Sequence, residues 1–229
     1  MIIAIDGPAG SGKSSTAREV ARRLGFHHVD SGAFYRALTW SALERGIPAA
    51  RFASLDEAAL DDFGVRAEPQ GHGFRMYAGG RDIDLAIREP HINANVSAMA
   101  RVPIVRDWLN KRLREAATRA DVVVDGRDIG SVVFPDAELK VFLVADQETR
   151  ARRRLAERGS IAPEIDEVAA EVERLLERDR ADSEREVAPL VKADDAVEID
   201  TSLIGFEEQV EAVIRLARER MGGGRGPGS

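Results

Sequence analysis

The 229-residue sequence contains no cysteine, which excludes disulfides and thiolate metal sites and suits a reducing compartment. Lysine is scarce: Lys13, Lys111, Lys140 and Lys192 are four of 33 basic residues, leaving 29 arginines. No apolar run nears the roughly 18 residues of a membrane span, so no membrane contact is expected. The first ten residues carry no basic stretch and include Asp6, so a cytoplasmic setting is expected rather than a secretory leader. An excess of basic charge is also missing; the net charge of −7 speaks against a general nucleic-acid binder. There is no H-R-D loop to give the D-F-G at 62–64 a protein-kinase context. No N-K-x-D accompanies the D-x-x-G at 61–64, and no G-x-S-x-G elbow occurs. His27, His28, His72 and His91 lack metal-ligand spacing and read as surface or packing residues.

What is present describes a globular α/β chain, 44% hydrophobic and 32% charged, long enough for one domain with inserted subdomains. Strand-like apolar runs at 2–5, 121–124, 139–144 and 196–199, with a shorter one at 27–29, alternate with helical segments. That alternation predicts a parallel sheet with helices on both faces. Residues 64–88 break into short alternating pieces with a tight turn at Gly79-Gly80, and predict a small antiparallel meander. Pro103 opens a helix running toward residue 119. Residues 206–221 carry one apolar stripe, Phe206, Val210, Val213, Ile214, Ala217 and Met221. The glycine-rich tail at 222–229 is expected to be disordered.

The most specific signal is Gly7-Pro8-Ala9-Gly10-Ser11-Gly12-Lys13-Ser14, which satisfies G-x-x-x-x-G-K-[ST] between a short strand and a helix beginning at Ser14. Such a turn aims backbone N–H groups and the positive end of a helix dipole at one point, a ready site for a polyphosphate. Lys13 would reach the β- and γ-phosphates of ATP, with Ser15 close by, and the Ser14 hydroxyl would ligate Mg²⁺.

Four further clusters carry charge. In Asp30-Ser31-Gly32-Ala33-Phe34-Tyr35-Arg36, Ser31 stands at a helix start, where it is either a cap or a ligand contact. Asp125-Gly126-Arg127-Asp128 ends an apolar strand, at the sheet edge where open α/β folds bind ligands, or in an exposed turn. Arg150, Arg152, Arg153, Arg154 and Arg158 are clamps for a transferring phosphoryl group or a solvated helix face. Arg178, Asp182 and Arg185 share one side of a continuing helix that flanks the apolar stripe Ile165, Val168, Val172, Leu175 and Leu176. A cleft lining and an Arg178–Asp182 salt bridge both satisfy that spacing.

Together, I-D-G-P-A-G-S-G-K-S at 5–14, D-S-G-A-F-Y-R at 30–36, D-G-R-D-I-G-S-V-V-F-P-D at 125–136 and the run at 177–190 resemble the bacterial cytidylate kinase family of nucleoside monophosphate kinases. The resemblance spans about residues 1–218. It implies an ATP:CMP/dCMP phosphotransferase, with UMP, AMP or shikimate-type acceptors and a regulatory ATPase as rival readings. It implies a core (1–30, 90–150 and 178–221), a nucleotide-binding insert (31–89) and a helical lid (151–166) in a monomer. Ser31, Arg106 and Asp128 would read the cytosine, Ser97, Arg178 and Asp182 would contact the ribose, and Arg36, Arg127 and Arg185 the monophosphate. Arg153 and Arg154 match the lid arginines and, with Lys13 and Arg178, would be catalytic. Ala181 and Ser183 depart from relatives that carry basic residues there.

Overall fold

A computed structural model describes residues 1–160 and 162–223. The first half runs β1 (Ile2–Asp6), α1 (Lys13–Leu24), β2 (His27–Asp30), α2 (Ser31–Glu44), α3 (Glu57–Asp62), β3 (Arg66–Gln70), β4 (Gly73–Ala78), β5 (Arg81–Asp82) and α4 (Pro90–Ala100). Then follow α5 (Pro103–Ala117), β6 (Val122–Gly126), β7 (Leu139–Val144), α6 (Gln147–Glu157), α7 (Ile165–Ser183), β8 (Val197–Asp200) and α8 (Phe206–Gly223). Short 3₁₀ turns at Ala49–Ser54 and Ala86–Arg88 and a π-type turn at Ile129–Val133 complete the chain order. No helix among the described residues is long and apolar enough to cross a membrane.

Five strands form the expected parallel sheet in the order β2-β6-β1-β7-β8. Successive side chains of a strand alternate faces, so each central strand serves two cores. Ile3, Ile5 and Val123 pack with Ala17, Val20 and Ala21 of α1 and Val210, Val213 and Ile214 of α8. Ala4, Val122 and Val124 join the opposite core with α2, α4 and α5. A third, smaller cluster binds Ala9 to Ala151 and Leu155 of α6 and Val168 and Leu175 of α7.

The predicted meander is present as the antiparallel sheet β3-β4-β5. Gly79 and Gly80 link Ala78 to Arg81 with φ of 53° and 82°. Two positive φ values in a two-residue hairpin loop strongly favour glycine. The small sheet has no core of its own: Met76, Ala78 and Ile83 belong to the cluster that holds α2 and α5. The turn between β3 and β4 reaches the main sheet, where the His28 N–H donates to the His72 carbonyl at 2.6 Å.

Two helical stripes differ from the sequence expectation at their ends. Phe206 and Met221 are exposed, because the buried part of α8 is confined to Gln209–Ala217. On α7, Val168 and Leu175 are buried, whereas Ile165 and Leu176 face solvent. The helix also stops at Ser183, so Arg185 is not on it. The chain doubles back, the Leu190 N–H donates to the Asp182 carbonyl at 2.9 Å, and Ala188 adopts φ 50° to do so. Gly222 and Gly223 close α8, and the remainder of the expected disordered tail lies outside the described residues.

Candidate active site

Because β1, β2 and β6 are adjacent, the three loops leaving their carboxyl ends meet in one crevice. Into it face Ala9, Gly10, Gly12, Lys13, Ser14 and Ser15 from the first loop, Ser31 and Arg36 from α2, and Ser97 from α4. Arg127 and Asp128 follow β6; Arg154, Arg178, Asp182 and Arg185 close the opposite side. Of the residues anticipated from sequence, Gly7, Pro8, Ser11, Arg106 and Arg153 do not line the crevice.

The loop is shaped by glycine where nothing else fits. A Cβ on Gly7 would lie 2.2 Å from the Leu143 carbonyl, and Gly10 (φ 76°) and Gly12 (φ 85°) adopt left-handed backbone. Gly12 caps α1 with no side-chain hydrogen bond, so the first N–H groups of that helix are not capped by a side chain. Helix α1 starts at Lys13 rather than Ser14. Ala9 is gripped from both directions: its N–H donates to Asp179 Oδ1 at 3.1 Å, and its carbonyl accepts from Arg150 Nη1 at 3.1 Å. Arg150 and Asp179 also pair with each other.

The arginine run on α6 therefore divides. Arg150 is buried against the loop, Arg152 is exposed beside Glu148, Arg154 faces the crevice, and Arg158 pairs with Glu171. Arg153 turns to the β8 end, donating to Thr201 Oγ1 at 2.9 Å and the Thr201 carbonyl at 2.7 Å.

On the facing side, the helix cap of α2 is Asp30, which accepts from the Ala33 N–H at 2.9 Å. Ser31 is not the cap; its hydroxyl donates to the Asp125 carbonyl at 2.7 Å. A Cβ on Gly126 would sit 2.6 Å from that hydroxyl oxygen, so glycine is required for the close approach. The Asp-Gly-Arg-Asp segment is no exposed turn, since Asp125 and Asp128 are both buried. Asp128 pairs with Arg106 and with Arg185, and Arg106 lies behind it against the Tyr35 ring. Nor does Asp182 pair with Arg178 as helical spacing allowed; its partner is Arg127, at 2.8 Å. Asp6, which the sequence did not single out, accepts from the N–H groups of Ile129 and Gly130 and so orients the turn after Asp128.

Ion pairing neutralises most of the crevice: Arg36 with Asp30, Arg127 with Asp182, Arg185 with Asp128, and Arg154 with Glu157. Among the described residues, Lys13 and Arg178 pair with no carboxylate. Lys13 instead donates to the Pro8 carbonyl at 3.1 Å. Burial, then the neighbouring Arg127, holds the Lys13 amine well below its ordinary range. Burial, then Arg127, likewise lowers Arg178 to about 10. Burial opposes ionisation of Asp30, yet Arg36 and other neighbours bring it to about 2. Burial raises Asp6 to about 6, against the pull of its two backbone donors.

Asp125 is a site residue whose contacts the sequence reading did not anticipate. One oxygen accepts the Ser14 hydroxyl, and the other lies 2.7 Å from His28 Nε2. A hydroxyl and a carboxylate are hard oxygen donors of the kind Mg²⁺ accepts alongside phosphates and water. No cluster of three metal-binding side chains occurs among the described residues.

A glycine loop leaving the central strand of this sheet, at the mouth of a two-sided cationic crevice, defines a P-loop α/β domain. Its fold is similar to that of TT1252 from Thermus thermophilus, with a TM-score of 0.51, 19% identity and coverage of 96% and 97% of the two chains. The chain belongs to the cytidylate kinase family, whose model matches residues 3–219. It is 44% identical over 228 residues to the cytidylate kinase of Pelodictyon phaeoclathratiforme, covering 96% of both proteins. It is also 43% identical to the bifunctional pantoate ligase/cytidylate kinase of Synechococcus elongatus, covering 96% of this chain and 42% of that protein. The chain thus spans less than half the length of such two-function relatives.

Proposed function

We propose that this chain transfers the γ-phosphoryl group of ATP to CMP or dCMP, giving ADP and (d)CDP. The observation that carries the proposal is the pair of cations without a carboxylate partner, Lys13 and Arg178, that line one crevice. Cations drawn out of water with no counter-charge are unfavourable until an anion arrives, and a phosphoryl group between two nucleotides is such an anion. Names of relatives supply the acceptor: the matched proteins are cytidylate kinases.

In this reading the glycine loop, the N-terminus of α1 and Lys13 hold the donor phosphates. Arg36, Arg127 and Arg185 bind the acceptor monophosphate. Ser31 and Asp128, supported by Arg106 from behind, read the cytosine, while Ser97 and Asp182 meet the ribose. An acceptor phosphate oxygen attacks the γ-phosphorus as the bond to the β-bridging oxygen breaks. The leaving ADP keeps that electron pair. The attacking oxygen is already anionic, so no general base is needed. Lys13, Arg154 and Arg178 stabilise the charge that spreads over the equatorial oxygens. Mg²⁺, held by Ser14 and Asp125, would supply further neutralisation of the triphosphate.

The free space between these side chains is about 140 Å³. Ligand pockets commonly measure about 300–1,000 Å³, so this reading has the α6–α7 lid and the crevice arginines shift to admit both substrates. Both substrate sides are built from one chain, which fits a monomer. The test is an acceptor panel with MgATP, read as nucleoside diphosphate formed. CMP and dCMP should react far faster than UMP, AMP or GMP; equal rates across the panel would remove the cytosine assignment.

A further inference from the structure

His28 is one of the few buried polar side chains near the crevice to which the proposed reaction gives no task. It lies on β2, and nothing in its sequence spacing marks it, because its partner Asp125 is 97 residues away. Its ring Nε2 is 2.7 Å from Asp125 Oδ1, and the opposite oxygen, Oδ2, accepts the Ser14 hydroxyl. His28 and Asp125 are 6% and 2% exposed, so the contact between them is shielded from solvent.

This chain of contacts has a directional consequence. The terminal torsion of an aspartate is broad and roughly two-fold, so the partner of one oxygen decides where the other points. With an N–H of His28 on Oδ1, Oδ2 is turned to Ser14 and takes its hydroxyl proton. The lone pairs of the Ser14 oxygen are then left for a cation. The backbone of His28 is itself anchored, since its N–H donates to the His72 carbonyl of the small sheet. The small sheet, β2 and the loop of β1 are thereby joined through one residue, by its backbone on one side and its imidazole on the other.

We propose that His28 is a positioning residue for the donor-side cation, acting through Asp125 and Ser14. The proposal rests on the phosphotransfer reading above. It predicts that losing the ring N–H frees Asp125 and costs affinity for the metal-bound nucleotide, leaving metal-free nucleotide binding intact. Partners of this outer kind are commonly worth about 10–100-fold in metal affinity.

The experiment is calorimetric binding of a non-hydrolysable ATP analogue, with and without Mn²⁺, to the parent chain, His28→Leu, His28→Asn and His28→Gln. In the parent, Mn²⁺ should tighten binding. His28→Leu, of similar bulk but without a donor, should lose about 10-fold of that gain, with metal-free affinity unchanged. His28→Gln, whose amide reaches about as far as Nε2, should retain most of it. His28→Asn, which is too short, should behave like the leucine variant and replaces it if leucine prevents folding. An unchanged Mn²⁺ gain in the leucine and asparagine variants would overturn the assignment, as would equal losses in Gln and Leu. Absence of any Mn²⁺ gain in the parent would instead overturn the donor-site reading on which it stands.

Discussion

Asp128→Ala tests whether the buried network in the crevice wall is held by charge compensation. Asp128 is 4% exposed and lies between Arg106 and Arg185, which are 1% and 8% exposed. Removing the carboxylate leaves two largely buried guanidinium groups without the counter-ion they share. Breaking a buried pair by deleting one member costs about 3–5 kcal/mol, because an uncompensated charge remains. Both arginines keep other contacts: Arg106 with the Ala100 carbonyl and the Tyr35 ring, Arg185 with the Ala188 carbonyl. The loss should therefore fall toward the lower figure. For a chain of this size about 1 kcal/mol moves the melting temperature by roughly 2–4 °C, so a fall of about 6–12 °C is expected. Thermal melting followed by circular dichroism measures it. Adding Arg106→Met to the alanine variant should recover part of the loss, since it removes one stranded cation. A melting point within about 2 °C of the parent, or a further drop on adding Arg106→Met, would refute the charge-compensation account.

Lys13→Ala should lower turnover with MgATP and CMP by about 10²–10³-fold, the usual loss for one oriented electrostatic contact. Its melting temperature should not fall, because an unpaired buried cation is removed; a large drop would assign Lys13 a structural role. Asp6 gives a pH signature. Its folded pKa of about 6 exceeds the ordinary value of 3.8, so the native state holds the extra proton between those values. Stability from this group is full below about pH 4 and declines as pH rises to about 6, by about 3 kcal/mol. Urea unfolding from pH 4 to 7 should show that decline in the parent and not in Asp6→Asn; parallel profiles would refute it.

Much of this arrangement is legible in the sequence, for identifiable reasons. Strands β1, β6 and β7 are covered on both faces, and a strand so buried reads as an unbroken apolar run. The glycine loop is legible because its backbone tolerates few alternatives. Helix α4 and the turn at 129–133 are not, since their form is set by packing against the shared core and by Asp6. Side-chain pairing is the larger gap. Helical spacing offered Arg178 to Asp182, but Arg127 arrives from the segment after β6, 55 residues away. Adjacent Asp30 and Ser31 are both capping residues, and spacing does not say which one takes the role. Arg106 and Arg153 were anticipated as ligand contacts, and only the tertiary structure turns one behind Asp128 and the other onto Thr201.

The grip on Ala9 bears on the order in which this protein becomes competent. The strand, loop and helix that make up the phosphate motif are finished within the first 24 residues. Yet Ala9 is held by groups 141 and 170 residues later, and Thr16 hydrogen-bonds Gln209 across 193. Loop closures of that span form late, because their entropy is lost before the contact repays it. A nascent chain thus carries the nucleotide motif long before it carries the nucleotide site. Ligand affinity consequently reports completion of the C-terminal third, and a fluorescent ATP analogue added during refolding should bind in the slowest phase.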